Sequence, residues 1–597
     1  MSHRGPDGSG FHAEVGVALA HTRLSLVDLN ERSNQPMWDS TGRYCLVYNG
    51  ELYDYQGLQG ELAERGVRFR TTSDTEVLLE ALVHLGVEEA LDRVDGMFAF
   101  GLYDVRERSL VLARDRFGIK PLFIHDGPES FLFASSVEAL RPWLELRPDP
   151  LTVSAYLHGF NGPTSGRSFY EGVQIVPPGA LVRVDLGGRA RVSQCLTLKE
   201  LVDPEASAEL AGRSRSELVD EVEALLLESV RSQLSADAPV GAFCSGGVDS
   251  SLIVAMAARL HGDLRLFHAD IEGPLSERSA AESLANHLGL ELAVAPVRDR
   301  DFVDSIPDAV EHFGAPFVNP TLIPIHRVSR LVHDRGVKAV LTGEASDECF
   351  LGYPWLAPNI PGAARRAVRR LLPGVLGAPK TGASGGGIDH GLVTGLSNGF
   401  EAAHGPVEFE EDGVLATYHA TSAPGLTSSG ELSYILRTLL YRNDTMGMAS
   451  GVECRFPFLD RRLVTMSAHL PVDCKVRFSP FGWDRRHPLY QDKWIIRQIA
   501  ARYVPVRLSH RKKGMFPTNA FRRMRIADGF FGDSFTAEFY GLSRSRMRSF
   551  LDRAEGPLRL RLMLLESWAH RCIRECPREA LDARLSAHVE VVPVGAG

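Results

Sequence analysis

Apolar and polar positions alternate over short runs through residues 1 to about 195, with glycine turns between them. Tyr44–Tyr48, Met97–Tyr103 and Leu110–Ala113 show the pattern best. A period of two predicts half-buried strands, and helical spacing is confined mainly to Leu58–Arg65 and Thr75–Leu85. The first domain, residues 1–195, is therefore an antiparallel β-sandwich flanked by helices. Between Cys195 and Ser214 the alternation gives way to an acidic, alanine-rich stretch, read as a linker over 196–215. Ser216–Leu234 then has the spacing of an amphipathic helix. From Val240 onward short apolar runs alternate with helical patterns: Leu266–Ala269, Ser276–Leu288, Leu292–Ala295, Val303–Phe313, Ile325–His333 and Val337–Leu341. That rhythm predicts a doubly wound parallel α/β sheet with added helices over 216–580, whose ligands lie at the carboxyl ends of its strands. Residues 581–597 read as a flexible tail. The fold class is α/β, in two domains.

A chain of 597 residues has room for two to four domains, and 44% hydrophobic with 24% charged residues is ordinary for a folded protein. The net charge of −9 argues against a dedicated nucleic-acid binder, despite local clusters such as Arg365–Arg370 and Arg522–Arg525. No apolar run approaches the roughly 20 residues that span a bilayer, and no signal-peptide core is present, so a cytoplasmic location is expected. The eight cysteines are scattered; Cys572 and Cys576 lack a second pair at zinc spacing, so reduced thiols and no structural metal are expected.

The densest chemistry lies in Pro239-Val-Gly-Ala-Phe-Cys-Ser-Gly-Gly-Val-Asp-Ser-Ser251, a buried strand, a glycine turn and the start of a helix. Gly246 and Gly247 let backbone approach a phosphate, the first helical N–H groups have no internal partner, and Ser245, Ser250 and Ser251 add donors. Asp249 would repel a phosphate unless a divalent cation lay between them, which makes it a Mg²⁺ ligand. The spacing is neither that of a Walker loop nor that of a dinucleotide turn. After the predicted strand Val337–Leu341 comes Thr342-Gly-Glu-Ala-Ser-Asp-Glu348. Gly343 joins the phosphate site, and Asp347 is read as sharing the metal with Asp249.

Further polar groups cluster in the first half: His3–Gly8, His21–Leu26, Tyr48–Glu51, Ser73-Asp74 and Ala113–Leu122. An arginine fork suits a carboxylate, an aspartate suits an ammonium, and asparagine beside glycine suits an oxyanion.

Ser-Gly-Gly-Val-Asp-Ser resembles the pyrophosphate loop of the ATP pyrophosphatases, which cleave ATP between the α- and β-phosphates. The segments of the first half are similar in order and spacing to the class II glutamine amidotransferase domain. That resemblance implies a glutamine site in which Arg23 holds the α-carboxylate, Asp74 the α-amine, and Asn49 with Gly50 the oxyanion, Glu51 completing the motif. Residues 216–525 resemble the synthetase domain of glutamine-hydrolysing asparagine synthetases, which implies ATP and Mg²⁺ as cofactors and ATP, aspartate or another carboxylate, and glutamine or ammonia as substrates, with a homodimer possible. Glu344 matches a glutamate of that family, Glu453 is the other carboxylate near the acceptor, and Lys493, Lys512 and Lys513 are the candidate catalytic lysines, with Lys512 or Lys513 favoured.

The family's nucleophile is a cysteine at the mature N-terminus followed by Gly-Ile, on a strand ahead of the His-Arg-Gly-Pro-Asp-Gly segment. Here His3 is preceded only by Met1 and Ser2, and Cys45 lies in a strand-like run. A segment beginning Met-Cys-Gly-Ile is expected to precede Met1; without it a sheet edge and an apolar surface stand open. Gly514-Met515-Phe516 and Phe313-Gly-Ala-Pro316 depart from the family pattern, and Pro379–Gly387 reads as an insertion. Besides asparagine formation, a tailoring amidotransferase or macrolactam-forming cyclase and a catalytically silent scaffold are the alternatives.

Overall fold

The computed structural model describes residues 1–159, 166–185, 187–273, 276–353, 392–393, 424–478, 490–511 and 520–593. Lys512, Lys513, the Gly514–Phe516 departure, the Arg365–Arg370 cluster and the Pro379–Gly387 insertion lie outside them.

The first half is built on a six-stranded antiparallel sheet in the order β11-β10-β6-β5-β4-β3. Its strands are β3 (Met37–Trp38), β4 (Tyr44–Tyr53), β5 (Asp95–Asp104), β6 (Ser109–Arg114), β10 (Ala180–Val184) and β11 (Ala190–Gln194). A hairpin of β1 (Gly8–Glu14) and β2 (Val17–Arg23) and a sheet β8-β7-β9 complete it, with β7 at Phe123–Asp126, β8 at Phe131–Ala134 and β9 at Gln174–Ile175. Alternation along β4 sends Leu46 and Tyr48 toward Leu78 and Leu82 of the helix Asp74–Leu85, and Cys45 and Val47 toward Leu19 of β2. Both faces of the large sheet are covered, as in a sandwich with helices outside it. Close strand approach demands glycine at Gly50, where a Cβ would lie 2.0 Å from the Met97 carbonyl oxygen.

The second half holds five parallel strands in the order β14-β13-β12-β15-β16. They are β12 (Val240–Phe243), β13 (Arg265–Ile271), β14 (Leu292–Val297), β15 (Ala339–Leu341) and β16 (Glu453–Arg455). Sequence order reverses between β12 and β15, so the crevice beyond their carboxyl ends is the switch point where ligands bind in such sheets.

Three expectations are corrected. The stretch read as a linker carries a helix, Pro204–Gly212, started by the Asp203 side chain accepting from the Glu205 N–H and by proline in the first turn. The single helix expected over Val303–Phe313 is two, Asp301–Asp304 and Ile306–Phe313, parted at Ser305 with Pro307 opening the second. The tail is ordered through Pro593: the helix Arg578–His588 buries Leu581 and Leu585, and Val589–Val591 pairs antiparallel with Met524–Ile526.

Candidate functional site

β12 ends at the Ser245–Gly247 turn. Gly246 has φ +71°, and a Cβ there would lie 2.7 Å from the backbone of Ala280. Ser245 Oγ and Ser250 Oγ are 2.8 Å apart, and the Gly247 N–H donates to Ser245 Oγ at 3.3 Å. Gly247 precedes the 13-residue helix Val248–Leu260 without a side-chain cap, leaving its first N–H groups directed at the crevice. Ser251 Oγ is buried with no hydrogen-bond partner among the described residues.

The loop after β15 comes against this turn. A Cβ on Gly343 would lie 2.7 Å from the Ser250 nitrogen, so only glycine lets the two loops meet. Ala345, Leu351 and Lys493 all take left-handed backbone, with φ of 73°, 57° and 47°. Such strain in side-chain-bearing residues gathers where function over-determines the backbone. Lys493 lies just ahead of the helix Trp494–Ala500, and its fully buried Nζ donates to Asp249 Oδ2 at 2.6 Å and Asp347 Oδ1 at 2.9 Å. Burial opposes the charge on Lys493, but the two carboxylates overcome it and hold the ammonium above its ordinary range. Ser346 Oγ donates to Asp249 Oδ1 at 2.6 Å. Glu348 is buried under this loop, accepts from Tyr353 Oη at 2.6 Å, and is pushed up to about 8 by burial and then by the Asp347 charge.

The structure therefore brings together Ser245, Gly246, Gly247, Asp249, Ser250, Ser251, Gly343, Asp347 and Lys493, which alone of the three candidate lysines lies among the described residues. Two carboxylates converging on one point form a hard-oxygen donor pair that suits Mg²⁺, which usually takes few protein ligands and keeps water and phosphate oxygens. Glu344 is held by Arg442, whose Nη2 lies 2.5 Å from Glu344 Oε1 and whose Nη1 donates to Thr321. Arg442 carried no role in the sequence reading. The available signal was four consecutive polar residues, Arg442–Thr445, directly after the apolar Leu439-Leu440-Tyr441.

Glu453 does not stand free as an acceptor-side carboxylate. It lies in the seam between the two halves, 3.0 Å from Lys120 Nζ and 3.4 Å from Arg455 Nε. Arg455 also pairs with Glu51; Lys120 reaches Asp444 at 3.3 Å, and Asp444 accepts from Arg4 at 2.7 Å. Three cations and three anions alternate there, all buried, with Arg4, Glu51 and Lys120 from the first half and Asp444, Glu453 and Arg455 from the second. Burial pushes the Glu51 carboxyl up, whereas Lys120 and Arg455 hold Glu453 below its ordinary range against the same penalty.

The first half encloses a cavity of about 1220 Å³. Arg23, Asn49, Gly50, Glu51 and Asp74 line it, together with Met448 and Glu453 of the second half. Asp74 accepts from Tyr48 Oη and the Leu52 N–H, both at 3.0 Å, and Asn49 Nδ2 donates to Ser135 Oγ at 3.1 Å. Arg23 donates to the carbonyls of Val27, Asp28 and Asn30 and to Asn34 Oδ1, so its fork serves its own loop here. Glu51, grouped by sequence with the glutamine-holding residues, directs its carboxylate to Arg455 instead. All of β2 and β8 also line the cavity, and each is an edge strand among the described residues. Phe11 and Trp143 beside it are 82% and 71% exposed. No cysteine lines it among the described residues. Cys45 is fully buried, its thiol pushed up to about 12 by burial and then by Glu14.

The family model for asparagine synthase matches residues 221–560, and that for a glutamine amidotransferase domain matches residues 1–194. A putative glutamine-hydrolysing asparagine synthetase of Mycobacterium bovis is 31% identical over 563 residues, covering 87% of this chain and 82% of its own. Glutamine-hydrolysing asparagine synthetase 1 of Bacillus subtilis is 29% identical, over 86% of this chain and 82% of its own. Amidase chyE of Penicillium rubens is 28% identical, over 84% and 81%. Family matches to both halves, together with that coverage, place the chain in the asparagine synthase family, as a carbon–nitrogen ligase of the glutamine amidotransferase type.

Proposed function

We propose that the chain makes an amide by adenylating a carboxylate, most simply the side chain of aspartate, and letting ammonia displace AMP. The convergence of Lys493, Asp249 and Asp347 beside the Ser245–Gly247 turn, at the switch point of the parallel sheet, carries this reading. The turn and the helix N-terminus grip the β,γ-phosphates and leave the α-phosphorus open to in-line attack by the carboxylate oxygen. Pyrophosphate leaves. Lys493 supplies positive charge as charge builds on the bridging oxygen. Glu344, held in place by Arg442, accepts a proton from the attacking nitrogen as the amide forms and AMP departs. Asp249 and Asp347 would hold Mg²⁺, which when bound offsets the charge of the leaving pyrophosphate.

The cavity of the first half is the glutamine site in this reading, with Asn49 and Gly50 facing the oxyanion and Asp74 the amine. Its contact with Glu453 and Met448 puts it against the seam that ammonia crosses on its way to the adenylate. Relatives named amidases support a second reading, in which the acceptor is a natural-product carboxylate. ATP–pyrophosphate exchange, screened over aspartate and larger carboxylic acids, separates the two: exchange with aspartate supports asparagine formation, and exchange confined to larger acids supports the tailoring role.

A further inference from the structure

Lys493 fills the point on which Asp249 and Asp347 converge, 2.6 and 2.9 Å from their oxygens. The packing around it is close. A Cβ on Gly352 would lie 1.9 Å from Asp347 Oδ1 and 2.9 Å from Lys493 Cε, and Ser346 fixes the other oxygen of Asp249. Mg²⁺ binds oxygen at about 2.0–2.1 Å, so an ion held by both carboxylates needs the space the ammonium now takes. The two cations cannot share it.

Displacing Lys493 without giving it another partner leaves a fully buried ammonium uncompensated, which is strongly unfavourable. A metal ion arriving alone therefore gains two carboxylates but strands a charge. A nucleotide removes that conflict, because its phosphate chain brings several negative charges to the Ser245–Gly247 turn beside the lysine.

We propose that Lys493 is a resident counter-ion: in the nucleotide-free protein it closes the carboxylate pair to divalent cations, and it transfers to the phosphate chain when the nucleotide arrives. This rests on the reading of Asp249 and Asp347 as metal ligands. Metal and nucleotide then bind with positive coupling, each raising the affinity for the other by the same factor. A lysine that acted only on the reacting phosphate would leave metal affinity unchanged in the absence of nucleotide.

The test uses the full chain and Mn²⁺ as a spectroscopic probe, without nucleotide. Free Mn²⁺ is counted by electron paramagnetic resonance for the wild type, for Lys493→Gln and for Lys493→Gln combined with Asp249→Asn. The proposal expects Lys493→Gln to bind one Mn²⁺ at least ten-fold more tightly than the wild type, and expects the added Asp249→Asn to remove that gain. Equal affinity of the wild type and Lys493→Gln overturns it. Should Lys493→Gln fail to fold, the wild type and Asp347→Asn decide: nucleotide-free Mn²⁺ binding to the wild type at a single site lost in Asp347→Asn overturns the proposal. Phosphorus couplings to Mn²⁺ in the complex with α,β-methylene-ATP test the underlying reading separately. If Asp249→Asn leaves that bound ion undisturbed, the carboxylates are not its ligands, and the metal assignment falls together with the proposal.

Discussion

Glu51, on a strand of the amidotransferase half, forms a buried ion pair with Arg455, on the edge strand of the synthase sheet. Arg455 also donates to the carbonyls of Gln233 and Ser235, at 2.7 and 3.1 Å, so one guanidinium ties the strand that lines the first half's cavity to the synthase half. Replacing Arg455 by methionine leaves Glu51 and Glu453 buried without their shared counter-charge. The expected loss is about 3–5 kcal/mol of stability, with partial recovery when Glu51→Gln is added. A urea midpoint that does not move in Arg455→Met contradicts this role.

Asp249→Asn and Asp347→Asn each remove one of the two anions that face Lys493. Pyrophosphate release is expected to fall by roughly 10²-fold or more in each, with circular dichroism unchanged. Near wild-type rates in both variants at limiting Mg²⁺ contradict the shared-metal reading.

Glutamine hydrolysis needs a reactive thiol, and the buried thiol of Cys45, raised to about 12, cannot supply one at neutral pH. Use of free ammonia, and release of glutamate from glutamine, are therefore expected to be the same in Cys45→Ala as in the wild type when both products are measured. A rate of glutamate release that falls in Cys45→Ala contradicts this.

Glu348 sets a pH dependence. An acid whose folded-state value is raised binds its proton more tightly folded than unfolded, so stability is greatest below about 4.5 with respect to this group and falls as pH rises toward about 8. Urea midpoints of the nucleotide-free protein between pH 5 and 8 are expected to show that fall, and Glu348→Gln to flatten it. An equal slope in the variant contradicts the assignment.

The strands of both halves were legible because burial leaves apolar runs in the sequence: β4, β5 and β6 are covered on both faces and carry nearly continuous apolar stretches, and the parallel strands are short apolar runs between helical patterns. The turn after β12 was legible because its chemistry is local, six consecutive residues from Ser245 to Ser250 carrying glycine, serine and aspartate together. The helix Pro204–Gly212 was missed although Asp203-Pro204 is a helix-start pair; a single buried leucine, Leu210, leaves no periodic stripe. Lys512 and Lys513 lie outside the described residues, and nothing local marks Lys493 as a partner of the carboxylates. It meets Asp249 across 244 residues of chain, and only the fold brings them together. The six-charge seam was illegible for the same reason. Arg4, Glu51 and Lys120 look like turn and strand polar residues until Asp444, Glu453 and Arg455 arrive from more than 300 residues away.

Whether the carboxylate is adenylated is read from the products. The protein is incubated with ATP, Mg²⁺, ammonium and an accepted carboxylic acid, and the nucleotide and phosphate products are separated by chromatography. AMP and pyrophosphate are expected in equal amounts, dependent on the acid and abolished in Asp249→Asn; ADP and orthophosphate as the primary products would rule out adenylation.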